Sequence, residues 1–68
     1  MRYSFIIPVY NRPDELRELL ESIVLQQLND YEVIVIEDGS SLTSEAVIHD
    51  FTPIIHSLHY YQVPNGGP

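Results

Sequence analysis

The 68-residue chain contains no cysteine, no tryptophan and no lysine, and has only three glycines. Without cysteine it has no disulfides, no thiolate zinc site and no thiol nucleophile, a composition that fits a reducing compartment. Three arginines face ten acidic residues, for a formal net charge of −7. Such a surface repels nucleic acid and anionic lipid. Long apolar runs are missing too: Phe5-Ile6-Ile7 ends at Pro8, far short of a signal-peptide core or a spanning helix. The chain is therefore expected to be soluble and cytoplasmic, with no membrane segment of its own. His49, His56 and His59, spaced by seven and three residues, match no common metal pattern and read as surface or helix-end side chains.

The length allows at most one small domain. A chain of this size buries only about 60% of the surface it exposes when unfolded, so its stability is marginal without a staple.

The apolar residues that are present are placed regularly. Residues 3–9 read as a strand rich in aromatic and β-branched side chains, with Pro8 expected to mark its end because proline cannot donate to a ladder. Asn11-Arg12-Pro13 makes a turn, and Pro13 suits the first position of a helix whose first turn carries Asp14 and Glu15 at its positive end. Leu16, Leu19, Leu20, Ile23 and Val24 then fall on one helical stripe, with Arg17, Glu18 and Glu21 on the wet side. Asn29-Asp30 breaks that pattern. A second strand covers residues 31–36 or 31–37, and a second helix covers about residues 43–51, closing before Pro53. Ile54 and Ile55 are expected to pack beneath it. Residues 58–63 read as a third strand with Tyr60 and Tyr61 on opposite faces, and Pro64-Asn65-Gly66-Gly67-Pro68 is a turn cluster.

The order β-α-β-α-β specifies an α/β fold, half of a doubly wound sheet. Two right-handed crossovers stepping in one direction give a parallel three-stranded sheet of order 3-2-1 with both helices on one face. The second strand, Tyr31-Glu32-Val33-Ile34-Val35-Ile36, is nevertheless apolar on both faces. The uncovered face and the free edge of the first strand imply further chain, so residues 1–68 are expected to form a single incomplete domain, the amino-terminal part of a larger one.

Glu37-Asp38-Gly39-Ser40-Ser41 follows that strand directly. The carboxyl ends of parallel strands open into loops that can shape a ligand crevice, so these acids are the first candidates for a site. Adjacent strand residues point to opposite faces, so Glu37 and Asp38 are not expected to reach one ligand together.

Ser4-Phe-Ile-Ile-Pro-Val-Tyr-Asn11, a helix, Tyr31-Glu-Val-Ile-Val-Ile-Glu-Asp-Gly-Ser-Ser41 and Tyr60-Tyr-Gln-Val-Pro-Asn-Gly-Gly-Pro68 together resemble the start of a family 2 glycosyltransferase with the Rossmann-like GT-A fold. The likeness spans nearly the whole chain. It implies a nucleotide-sugar site in which Pro8 and Tyr10 match positions touching the nucleoside, Asn11 and Gly39 lie in the contacting loops, and Asp38 matches the acid that accepts the base N3–H, commonly that of uracil. Glu37, where many relatives carry aspartate, is expected to orient the loop from behind.

Each assignment has a plainer alternative. Asp38 before Gly39 can be a turn residue bonded to its own backbone, Tyr10 a half-buried packing aromatic, and Asn11 a helix cap. Arg12 either reaches a phosphate at the helix start or is simply solvated. Gly39 reads as a position of positive φ or close backbone approach.

The resemblance further implies transfer of a sugar from a nucleotide-diphosphate donor, expected to be UDP-linked, to an acceptor hydroxyl by a single inverting displacement. A carboxylate base and a divalent cation, Mn or Mg, would assist. The family's Asp-x-Asp metal motif does not occur here, so no catalytic or metal-ligating residue is assigned, and the 68-residue chain alone is expected to be inactive. A phosphoacceptor receiver would need an aspartate on the third strand, where Leu58-His-Tyr-Tyr-Gln-Val63 stands, and a nucleotidyltransferase would need a glycine-rich basic loop in place of Asn11-Arg-Pro-Asp14. The remaining alternative is a non-catalytic α/β interaction module that self-associates through its exposed sheet face or edge.

Overall fold

A computed structural model describes residues 3–39 and 41–64. The elements run β1 (Tyr3–Val9), α1 (Pro13–Leu25), β2 (Tyr31–Asp38), α2 (Glu45–Phe51) and β3 (Leu58–Val63). β2 is central, paired in parallel with β1 on one side and β3 on the other, the expected 3-2-1 order. Of the expected turn cluster, residues 65–68 lie outside the described residues, as does Ser40 of the acidic loop.

Alternation along the strands decides where the core forms. Val33 and Val35 of β2 face the helices and are fully buried with Leu16, Leu20 and Ile23 of α1, Val47 and Phe51 of α2, and Ile55. Burying each such side chain contributes about 1.5–3 kcal/mol against its exposed state. Phe5 of β1 and Tyr31 of β2 meet edge to face beside this core, with ring centroids 6.1 Å apart. On the opposite face Ile6 stays 64% exposed and Tyr61 56% exposed, so that side of the sheet has no cover among the described residues. Tyr60, half-buried, and Tyr61 point to opposite faces as the strand period requires.

Several expectations shift in detail. β1 keeps its expected bounds, Tyr3–Val9, but passes through Pro8 rather than stopping there, because an edge strand pairs on one side only and tolerates a missing donor. β2 continues one residue further, to Asp38, which pairs in register with Val63. α2 begins at Glu45, with Ser44 at the capping position but making no side-chain cap bond. Leu19 is 42% exposed at the margin of the α1 stripe, and of the pair after α2 only Ile55 packs beneath the helix while Ile54 is 52% exposed. α1 ends at Leu25, before Asn29-Asp30, because Gln27 adopts φ 53° and donates its N–H to Val24 O. That left-handed stop is usually made by glycine, so composition gave no sign of it. Among the described residues no helix is long and apolar enough to cross a membrane.

Candidate functional site

The carboxyl ends of the three strands bring together the β1–α1 loop, residues 10–12, the β2–α2 loop, residues 39–44, and the end of β3. Gly39 turns the chain out of β2 with φ 62°, a left-handed conformation that glycine adopts without a Cβ clash. Among the described residues, three backbone N–H groups then anchor the loop. The Gly39 N–H donates to Val63 O at 2.9 Å, the Leu42 N–H to Asn11 Oδ1 at 3.0 Å, and the Ser44 N–H to Glu37 Oε1 at 2.7 Å. Each bond reaches a different strand or its loop, so all three strands set the position of one turn.

Glu37 and Asp38 separate as strand geometry demands. Glu37 is 1% exposed on the helix side, and its Oε1 also accepts the Tyr60 hydroxyl at 2.8 Å. A buried carboxylate is tolerated only with such donors. The Gln62 amide in turn donates to the Tyr60 oxygen at 3.0 Å. Burial raises the Tyr60 phenol above its ordinary value of 10.0; the Gln62 hydrogen bond partly offsets this, and the neighbouring Glu37 carboxylate adds to it. Asp38, on the opposite face, is exposed, and its side chain bonds no other described residue.

The other candidates take up distinct positions. Val9 pairs in register with Glu37, so Tyr10 and Asp38 are the next residues along neighbouring chains at the same level of the sheet edge. Tyr10 is 51% exposed, with about half of its surface open and half covered. Pro8 aligns with Ile36, and Ile36 with Tyr61, one row below Asp38 on the uncovered face. Pro8, Tyr10 and Arg12 also line a shallow depression of about 180 Å³ between β1 and α1.

Asn11 does not cap α1: Arg12 occupies that position without a side-chain bond, and Asn11, at φ 52°, uses its Oδ1 to hold the β2–α2 loop. Asparagine is among the few side chains at ease in that conformation, and its carbonyl suits a backbone donor from the neighbouring loop. Arg12 lies along its own helix, donating to both Glu15 oxygens at 3.0 and 3.1 Å. The parts played by Tyr60 and Ser44 were not read from the sequence, because Tyr60 stands diagonally from Glu37 and only the β2–β3 register brings them together. A groove of about 490 Å³ between α1 and α2, lined by Arg17, Phe51 and Ile54 among others, includes none of these residues.

Among the described residues no three histidine, aspartate or glutamate side chains converge as a metal site. With Glu37 bonded inside the fold and Asp38 on the other face, the two acids do not fit a shared cation.

The glycosyl transferase family 2 model matches residues 4–68. The chain is 33% identical over 66 residues, 97% of its length, to glycosyltransferase GlyA of Streptococcus pneumoniae serotype 4. It is 37% identical over 57 residues, 79% of its length, to the undecaprenyl-phosphate 4-deoxy-4-formamido-L-arabinose transferase of Pseudomonas fluorescens. To the poly(ribitol-phosphate) beta-glucosyltransferase of Bacillus spizizenii it is 33% identical over 72 residues, 100% of its length. It spans only 10%, 17% and 11% of these three relatives. No solved structure gives a significant match. With the family model covering all but its first three residues, the chain belongs to glycosyl transferase family 2.

Proposed function

We propose that the chain forms the nucleoside half-site of a glycosyltransferase that moves a sugar from a UDP-linked donor to an acceptor hydroxyl with inversion, as the amino-terminal part of a larger nucleotide-binding domain. The observation that carries this reading is Asp38, an exposed carboxylate at the carboxyl end of the central strand, next to a turn held by bonds to β2, β3 and the β1–α1 loop. A carboxylate so placed is an acceptor for a base N–H, and its charge strengthens that bond. Pro8 and Tyr10 provide apolar and ring surface for the nucleoside, Asn11 and Gly39 shape the loop, and Glu37 supports it from the buried side.

In the reaction the acceptor oxygen bonds the anomeric carbon as the bond from that carbon to the diphosphate oxygen breaks. The electron pair leaves with the nucleoside diphosphate, and the acceptor proton passes to a carboxylate base. A divalent cation, Mn or Mg, would stabilise the departing diphosphate, and the part taken by this segment in our reading is recognition of the nucleoside. The 68-residue chain alone is expected to turn over no UDP-sugar. Two of the relatives are named for different sugars, 4-deoxy-4-formamido-L-arabinose and glucose, so no donor sugar is carried over from them.

Titration of the chain with UDP, followed by amide-resolved NMR, tests the site. Shifts centred on Tyr10, Asp38 and Gly39 support it, and no shift at millimolar UDP overturns it. The exposure of Ile6 and Tyr61 favours one competing reading, an interaction module working through the uncovered face. Concentration-dependent sedimentation indifferent to UDP would establish that reading instead.

A further inference from the structure

We propose that Tyr60 is a positioning residue for the nucleotide-binding turn, acting through Glu37 to hold Asp38 in its binding orientation. The inference rests on the nucleotide reading of Asp38 and names a residue that this reading does not require.

β3 grips the end of β2 at two points flanking Asp38. Before it, the Tyr60 hydroxyl donates to Glu37 Oε1 at 2.8 Å; after it, Val63 O accepts the Gly39 N–H at 2.9 Å. Asp38 lies between these anchors with its side chain on the opposite face, bonded to no other described residue, so the backbone on either side sets its direction. The Tyr60 bond also governs the far end of the loop, because the same Glu37 oxygen accepts the Ser44 N–H at 2.7 Å, where α2 begins. A carboxylate 1% exposed has little water to turn to, and losing a donor would draw it toward a new partner and disturb its bond to Ser44.

Gln62 fixes the direction of the chain of bonds. Its amide donates to the Tyr60 oxygen at 3.0 Å, leaving the phenol proton for Glu37. The Tyr60 ring itself packs against the core, so the hydroxyl is delivered from a fixed support. Glutamate suits this linkage because its longer arm extends the carboxylate away from the β2 backbone toward a partner on another strand.

Tyr60→Phe removes the hydroxyl and keeps the ring. UDP affinity of the wild type and the variant, measured by amide-resolved titration well below both melting temperatures, reads the effect. Loss of one charge-assisted bond, felt in part at Asp38, is expected to weaken UDP binding roughly two- to fivefold, less than removal of the Asp38 carboxylate itself. The Gly39 and Ser44 amide signals of the free chain should move as well. Gln62→Ala, at an exposed position, should move affinity and amide signals the same way by a smaller amount, which keeps the test open if Tyr60→Phe unfolds. Ile55→Val, a core change away from the turn, controls for loss of stability and should leave affinity unchanged.

Wild-type binding at Asp38 with equal affinity in Tyr60→Phe overturns the inference and leaves the nucleotide reading standing. Equal weakening by Ile55→Val also overturns it, since the effect would then be general. Absence of UDP binding by the wild type overturns both.

Discussion

Asp38→Ala separates recognition from stability more cleanly than any other change at this site. The side chain is exposed and bonds no other described residue, so the variant should keep its folding free energy to within about 0.5 kcal/mol. Binding should respond differently. A hydrogen bond from a uracil N3–H to a carboxylate is a bond to a charged group, in the range of about 1.5–3 kcal/mol. Exposure places Asp38 at the lower end because water competes for the same oxygen, so a loss of about 1.5 kcal/mol, or roughly tenfold in affinity, is expected. Asp38→Asn keeps an acceptor oxygen but loses the charge, which leaves a neutral bond of about 0.5–1.5 kcal/mol and a smaller loss. The expected order of UDP affinity is wild type, then Asn, then Ala. Cytidine diphosphate supplies a second comparison, since cytosine N3 carries a lone pair and no hydrogen. The wild type should prefer UDP over it, and Asp38→Ala should lose most of that preference. Calorimetric or NMR titration of variants with matched melting curves provides the measurement. An alanine variant that binds UDP within twofold of a binding wild type, or keeps its full preference for uracil, would refute the assignment.

Other consequences follow from the same geometry. Gly39→Ala places a Cβ at φ 62°, which should cost about 1–2 kcal/mol in chemical denaturation and weaken UDP binding, with Gly39→Asn milder on both counts. Ser44→Ala should raise stability by about 1 kcal/mol, against the usual rule for a capping serine. Its hydroxyl is fully buried, makes no cap bond and has no partner among the described residues, while the backbone N–H that bonds Glu37 is retained. A decrease in the urea midpoint would contradict this. Tyr60, whose phenol is raised above 10.0, should hold full stability below pH 10 and lose it as pH climbs through the raised value, because the folded state keeps the proton more tightly than the unfolded one. Urea midpoints measured between pH 8 and 11 should fall at the alkaline end, and less steeply in Tyr60→Phe.

Much of the framework was legible because it depends on local periodicity. The bounds of β1 and β3, most of the buried face of α1, and the opposition of Glu37 to Asp38 all follow from side-chain spacing. The need for a positive φ at Gly39 was equally local. Misreadings arose where a residue's environment comes from distant chain. Leu19 and Ile54 look like core residues in a spacing pattern, yet helix placement leaves both at a margin. Asn11 looks like a cap, yet a donor 31 positions away claims its carbonyl.

The acidic turn itself divides the same way. Strand period alone sends neighbouring acids to opposite faces, so the sequence determined that only one of Glu37 and Asp38 could meet a ligand on a given side. Which of them is buried was decided by the tertiary structure, since it depends on the face that α1 and α2 cover. Only the register of β3 brings Tyr60 within 2.8 Å of Glu37 across 23 positions of chain. A hydrogen bond needs its atoms within a fraction of an ångström, and spacing along one segment carries no information about how two segments align.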